Sequence, residues 1–334
     1  MTAVMQIEQF DPRADEARLR SCHAIVTASA QLDTPELPPR PFAGFASWWA
    51  RGYNGNPRQT WLAADDAGRP AGCYLLELPD RENPELAQCV LAVEPGRRRE
   101  GLGTELLSHC ARQAQLAGRT RLTGEARDDS AGALFAAAAG ATPGIAEVMR
   151  LLAMDHALAP RLPALRAEAS AHSASYSLQS WLGATPREHL TGLTALSAAM
   201  DDAPRDAGVE PERFDADRIA QMEQVAIAAG QQLYSVAARH DPTGQLAAVT
   251  QVGTDRGTPG WAFQLLTAVL RSHRGHRLGL LVKLAMLDLL AEHEPGLRNI
   301  LTGNAGANEH MIAINERLGF RVSSVHRSWE LSLG

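Results

Sequence analysis

Several common signals are missing from this chain, and each absence excludes something. Cysteine is scarce. Cys22, Cys73, Cys89 and Cys110 all lie in the first half, and none belongs to a C-x-x-C pair. That argues against a zinc ribbon or a dithiol redox motif, and leaves the four as small apolar packing residues. No apolar run is long enough to cross a bilayer, so no membrane partner is expected. The opening residues, Met1 to Met5, lack the basic-then-apolar pattern of a secretory signal, and a cytoplasmic location is the default expectation. Charge of one sign is also missing. The net charge is −6 and the 38 acidic residues are interspersed, so no large polyanion, and no nucleic acid, is implied as a partner. The histidines do not fall at metal-ligand spacing, and no metal is expected.

What is present is a repeat. A length of 334 residues with 45% hydrophobic content suits two cores better than one. A short run occurs twice: Val93-Glu94-Pro95-Gly96-Arg97-Arg98-Arg99-Glu100-Gly101-Leu102-Gly103, and Val269-Leu270-Arg271-Ser272-His273-Arg274-Gly275-His276-Arg277-Leu278-Gly279. Each copy follows an apolar stretch of strand character and opens an amphipathic helical stretch. A cationic, glycine-bearing turn that feeds a helix binds anions, because the first helical N–H groups are unpaired and the helix dipole adds to them. Val93 and Val269, Arg98 and Arg274, and Gly103 and Gly279 are all offset by 176; Asp129 and Asn308, and Gly140 and Gly319, are offset by 179. Near-constant offsets are the mark of duplication.

The pattern around the repeat alternates strands and helices, with hairpins in the middle of each half. In the first half it predicts strands at 5–8, 60–64, 72–78, 87–93, 120–126 and 147–154, and helices near 14–30, 102–117 and 130–139. In the second it predicts a strand at 176–182, a hairpin over 232–253, strands at 262–270, 299–302 and 324–331, and helices near 186–200, 215–229, 278–292 and 308–318. The expected fold class is α/β, with a mixed sheet flanked by helices in each half. Pro160-Arg161-Leu162-Pro163 marks a linker, giving expected domains at 1–157 and 175–334 with 158–174 between them. The adjacent tryptophans after Phe42 and Phe45 read either as a core patch or as the lining of a substrate entrance.

Arg98-x-x-Gly101-x-Gly103, preceded by Val93-x-Pro95, resembles the pyrophosphate-binding motif of the GNAT superfamily of acyl-CoA-dependent acyltransferases. The second half closes in the same family's manner: Thr302-Gly303-Asn304 ends a strand, Asn308-Glu309-His310-Met311 opens a helix, and the helix ends at Gly319-Phe320. The resemblance covers the whole chain as two tandem GNAT-like domains, each with a mostly antiparallel sheet. In architecture it is similar to mycothiol synthase and to acyltransferases of bacterial specialised metabolism, including antibiotic biosynthesis.

The resemblance implies transfer of an acyl group, acetyl by default, from acetyl-CoA or another acyl-CoA to an amine of a small molecule. It implies coenzyme contacts from Val93, Arg98, Arg99, Gly101, Leu102 and Gly103 in the first half. In the second they come from Thr267, Val269, Arg274, Gly275, His276, Arg277, Leu278 and Gly279. Arg277 stands where the first half has Gly101, which departs from the motif. Asn304 and Asn308 are the candidates for orienting substrate and thioester. Many family members place a tyrosine acid seven residues after the helix-opening Asn; here Asn315 and Ala136 stand there, and neither is a titratable donor. Asn315 is then the candidate contact for the leaving sulfur, with Glu309 and His310 as candidate bases. The plainer alternatives are an N-cap for Asn308 and exposed helix surface for Glu309 and His310. The second half is expected to do the chemistry. Two further readings stay open: the same chemistry with an acyl carrier protein as donor, and a non-catalytic acyl-CoA sensor or scaffold.

Overall fold

The computed structural model describes residues 5–155, 158–202, 204–306 and 308–334. The opening residues read above for a secretory signal lie mostly outside them, as does residue 157 at the expected end of the first domain. The chain divides into two compact units. One comprises Met1–Ala146, Asp206–Glu210 and Val325–Gly334; the other comprises Glu147–Arg205 and Pro211–Ser324.

In the first unit the order is β1 (Gln6–Phe10), α1 (Glu16–Asp33), α2 (Phe42–Arg51), β2 (Arg58–Ala64), β3 (Pro70–Glu77), β4 (Leu86–Val93), α3 (Leu102–Leu116), β5 (Arg121–Arg127) and α4 (Ala131–Ala138). The rest of the chain supplies β6 to β12 and α5 to α9 in turn. These are β6 (Thr142–Ala153), α5 (Leu162–His172), β7 (Tyr176–Leu182), α6 (Arg187–Ala198), α7 (Ala216–Ala228), β8 (Gln231–His240) and β9 (Leu246–Asp255). They continue with β10 (Trp261–Val269), α8 (Leu278–His293), β11 (Asn299–Ala305), α9 (Glu309–Leu318) and β12 (Arg321–Ser332). Helix α5 occupies most of the segment read as a linker, and α2 holds the tryptophans.

Each unit builds a mixed sheet in which strands run antiparallel except for one pair. The first unit orders its strands β1-β2-β3-β4-β5-β12, with β4 and β5 parallel. The second orders them β7-β8-β9-β10-β11-β6, with β10 and β11 parallel. The last strand of each sheet comes from the other half of the sequence. His326–Ser332 of β12 pairs with Arg121–Arg127, and Glu147–Ala153 of β6 pairs with Asn299–Ala305. Residues 206–210 likewise pack in the first unit. There Asp206 accepts from the Ile145 amide and the Ser328 hydroxyl, both at 2.6 Å, and Asn83 bonds both backbone groups of Glu210 at 2.6 and 3.0 Å.

Strand alternation separates two apolar layers in each unit. In the first, Leu62, Cys73 and Leu75 face α1 and α2 with Phe45 and Trp49, while Trp61, Tyr74 and Leu76 face Leu102, Leu106 and Cys110 of α3. Trp49 is fully buried, so this tryptophan belongs to the core. In the second unit Ala237 and Val249 face Leu193, Leu196 and Ile219 of α6 and α7. Val236 and Ala248 face α8, whose apolar residues run round most of its circumference and which α5 and α9 cover in turn.

One buried ion pair anchors the first unit. Arg58 and Glu77 are cross-strand partners with side chains 7% and 11% exposed, and Asn56 donates to the same carboxylate at 2.7 Å. Removing one partner strands a charge in a low-dielectric site. Glu77→Ala is expected to lower the unfolding free energy by about 3–5 kcal/mol. An Arg58→Met/Glu77→Leu double variant is expected to recover most of it, as measured by urea denaturation.

Candidate active site

The two repeated turns follow one backbone path. After β4, Pro95–Arg97 makes a single 3₁₀ turn and Arg98 is extended at φ −68° and ψ 154°. After β10, Arg271–His273 does the same and Arg274 lies at φ −70° and ψ 156°. Each turn then needs two left-handed residues. In the first they are Arg99 (φ 69°) and Gly101 (φ 89°); in the second they are Gly275 (φ 90°) and Arg277 (φ 55°). The glycine has changed places between the copies, and the path has not changed. Arg277 therefore keeps the turn that Gly101 makes, at a strain of about 1–2 kcal/mol.

Both turns deliver an uncapped helix. No side chain caps α3 or α8. In α8 the first amide bonded to a carbonyl four residues back is that of Leu281, to Arg277, so Leu278, Gly279 and Leu280 present free N–H groups. Such a start is suited to an anion. Gly279 also sits under α9: a Cβ there would lie 3.2 Å from the Ile314 side chain, as one on Gly103 would lie 3.4 Å from Phe135.

The cations differ. In the first turn the charge is largely spent inside the fold. Arg98 donates two hydrogen bonds to the Asp33 carboxylate, at 3.0 and 2.8 Å, and one to Ser29; Arg97 pairs with Glu100 and Asp65. In the second, Arg277 pairs with Glu168 at 3.0 Å, and Glu168 also holds Arg317. His273 bonds the Tyr176 hydroxyl at 2.9 Å; burial and the neighbouring His240 and His276 push its pKa down. His276 turns away to the His172 carbonyl at 3.3 Å.

Beside each turn the sheet opens. The parallel ladder of β4 and β5 ends at Gln88 and Thr123, and that of β10 and β11 ends at Phe263 and Leu301. The opening in the first unit holds a cavity of about 130 Å³ lined mainly by apolar groups, among them Leu91, Phe135, Ala136 and Trp329. In the second unit the turn borders a cavity of about 630 Å³. Its walls include Thr267 and Val269 of β10, Arg274, Gly275, Arg277, Leu278 and Gly279 of the turn and helix start, and Asn308, Glu309 and His310. Met200, Pro204, Ile314 and Arg317 also line it, none of them singled out by motif.

Not every candidate residue meets this cavity. Asn308 lines it while also capping α9, accepting from the Met311 amide at 3.3 Å. Glu309 and His310 lie exposed at its rim. Asn315 is fully buried and does not line the wall; its amide donates to Asn304 at 2.8 Å, and its own Oδ1 has no partner. Leu102 packs into the core of the first unit.

Behind the cavity wall lies a polar group the sequence pattern did not reveal. Lys283 of α8 is buried and donates at 2.8 Å to Gln264 Oε1. The Gln264 amide donates to the carbonyls of Gln251 and Leu266 at 2.6 and 2.9 Å, where the β9–β10 register shifts. It also reaches Thr250, whose hydroxyl bonds that of Thr267 at 2.8 Å. A bulge leaves carbonyls unpaired, and Gln264 pairs them. Burial lowers the Lys283 pKa to about 7.

The comparisons with known proteins agree with this geometry. The model of the acetyltransferase (GNAT) family matches residues 22–140. A tandem GNAT protein from the clavulanic acid biosynthesis pathway, solved without AcCoA, is 30% identical over 99% of each chain, with a TM-score of 0.85. A GCN5-related N-acetyltransferase from Sphaerobacter thermophilus shares the fold at 15% identity and a TM-score of 0.69, covering 98% of this chain and 96% of its own. So does the GCN5-related glucosamine N-acetyltransferase region of a fungal multi-domain GH3 β-N-acetylglucosaminidase. It is 13% identical with a TM-score of 0.65, over 99% of this chain and 38% of that one. Curated proteins give no match. Fold and turns together define an acyltransferase-type scaffold present in two copies. The chain belongs to the GNAT acetyltransferase family, as a tandem GNAT protein. The family uses acetyl-CoA. No helix among the described residues is long and apolar enough to cross a membrane.

Lys283 makes a pH prediction. An unfolded lysine titrates near ~10.4, and this one titrates at about 7 when folded. Between those values the unfolded chain binds more protons, so folding stability rises with pH. The slope contributed by this group reaches about 1.4 kcal/mol per pH unit. Thermal unfolding across pH 7 to 10 is expected to show wild type gaining stability relative to Lys283→Met.

Proposed function

We propose that the chain is an acyl-CoA-dependent N-acyltransferase, acetyl by default, acting on an amine of a small molecule, with the chemistry in the second unit. One observation carries the reading: the 630 Å³ cavity joins an uncapped helix start to the Thr267–Val269 end of β10 and the start of α9. In this reading the amides of Leu278, Gly279 and Leu280, aided by Arg274, hold the coenzyme's pyrophosphate. The Thr267–Val269 edge of β10 pairs with the pantetheine arm. The amine enters from the side of Met200 and Pro204 and attacks the thioester directly, so orientation supplies much of the rate. Asn308, Glu309 and His310 line the approach, and the exposed His310 and Glu309 are the candidates for receiving the ammonium proton.

The first unit has the same turn, but the paired Arg97 and Arg98 and the small apolar gap suit a coenzyme held without turnover. The tandem relative from a biosynthetic pathway supports an acceptor of specialised metabolism, including antibiotic biosynthesis. An acyl carrier protein bears the same pantetheine arm and is the alternative donor.

Calorimetric titration of acetyl-CoA into wild type, Gly101→Glu and Gly279→Glu tests the assignment. Loss of a site in Gly279→Glu is expected, since a side chain there blocks both the amides and Ile314. A stoichiometry unaffected by Gly279→Glu would move the coenzyme to the first unit and end the assignment to the second.

A further inference from the structure

Arg150 lies in β6, within the second unit, and is 5% exposed. Other buried arginines have partners. Arg58 has Glu77, and Arg218 has Glu212 and the Arg213 carbonyl. Arg150 has a single long hydrogen bond, 3.4 Å, to the carbonyl of Val148, and its Nε has no partner. Among the described residues no carboxylate is within ion-pair reach of it. A guanidinium buried without a counter-ion is destabilising unless an anion arrives.

The register shows where that anion belongs. Arg150 stands opposite Thr302 of β11, and Val148 stands opposite Asn304. Directly opposed residues share a face of the sheet. The neighbouring pair Leu152 and Ile300 lies in the core under α8, so Arg150, Thr302 and Asn304 lie on the face that α8 and α9 cover. Its bond to Val148 draws the guanidinium back to the level of Asn304. There Asn304 meets Asn315, whose buried Oδ1 also lacks a partner. An unpaired donor and an unpaired acceptor thus share a small region beside the place where β10 leaves β11. Orphaned buried polar atoms of this kind mark a missing water, ion or ligand group.

We propose that Arg150 carries the charge of the coenzyme's departing thiolate in the second unit, at the position where Asn315 offers no proton. The inference rests on the acyltransferase reading above and names a catalytic residue for it. The amine nitrogen forms the C–N bond to the thioester carbonyl carbon. The C–S bond breaks and its electron pair stays on sulfur. The ammonium proton leaves to solvent through the exposed rim. The thiolate leaves as a charge-assisted pair with Arg150 and takes a proton from solvent on release. A cation fixed in a low-dielectric site before the reaction stabilises charge as it develops without reorganising. That accounts for a charge held unpaired at the expense of stability.

The test uses coenzyme A itself, and so requires no acceptor. Binding to wild type, Arg150→Met and Arg150→Lys is measured by calorimetry, and ionisation of the bound thiol by its thiolate ultraviolet absorbance against pH. In wild type a bound thiol is expected to ionise with an apparent pKa at least about 1 below that of free coenzyme A, a tenfold larger thiolate fraction. Arg150→Met is expected to bind the coenzyme and to lose this effect; Arg150→Lys is expected to retain part of it. Removing an unpaired charge should leave Arg150→Met at least as stable as wild type. A wild-type protein whose bound thiol ionises like the free one overturns the role of Arg150, whatever the variants do. So does an unchanged thiol in Arg150→Met. A wild-type protein that binds no coenzyme A at all overturns the acyl-CoA-dependent reading and this inference with it.

Discussion

Each unit depends on a parallel ladder that stops early. Three register pairs join β4 to β5, and three join β10 to β11. Beyond them the strands diverge, and their backbone groups need other partners. The antiparallel neighbours hold the outer edges, so the divergence opens one gap in the sheet and leaves the rest intact. The turn, the uncapped helix and the covering helix all sit at the mouth of that gap. On the other side of β10, at its bulge against β9, the buried Gln264 amide pairs two backbone carbonyls and is itself held by the buried Lys283 amine.

Duplication has preserved conformation more strictly than residue identity. Arg99 and Gly275 occupy one left-handed position, Gly101 and Arg277 the other, and the backbone is the same in both turns. What has diverged is charge. In the first turn Arg97 and Arg98 pair with Asp33, Glu100 and Asp65, whereas in the second Arg277 shares Glu168 with Arg317. Similar divergence marks the covering helices: Phe135 and Ala136 meet Ile314 and Asn315 at matching places, and the cavities differ about fivefold in volume.

Much of this was legible in the sequence because it is local. Strand alternation, the turn run and the Asn308 cap are set by neighbours a few residues apart, and β2 to β5, α3, α8 and α9 lie close to their expected positions. Helix α2 escaped notice because Phe42 to Trp49 reads as an apolar patch without a polar face. Helix α5 escaped because Pro160 and Pro163 signal a break, although proline is well tolerated in a first helical turn. The site was legible only in part. Asn304 lies on β11 and Asn315 on α9, as their motifs suggest, but nothing local shows that they bond to each other and not to a ligand. Arg150 stands in the apolar run from Val148 to Leu152, and its importance comes from a partner strand about 150 residues away.

The exchanged strands bear on synthesis. Until β12 pairs with Arg121–Arg127, β5 has an open edge, and about 200 residues separate the two strands in the chain. The first unit therefore waits for β12 to be made before this edge is closed, through contacts of very long sequence separation. An unpaired edge exposed for that time is a site for wrong pairing. The first unit is thus expected to depend on β12, and on protection of the β5 edge during synthesis, more than a unit built from one continuous segment would.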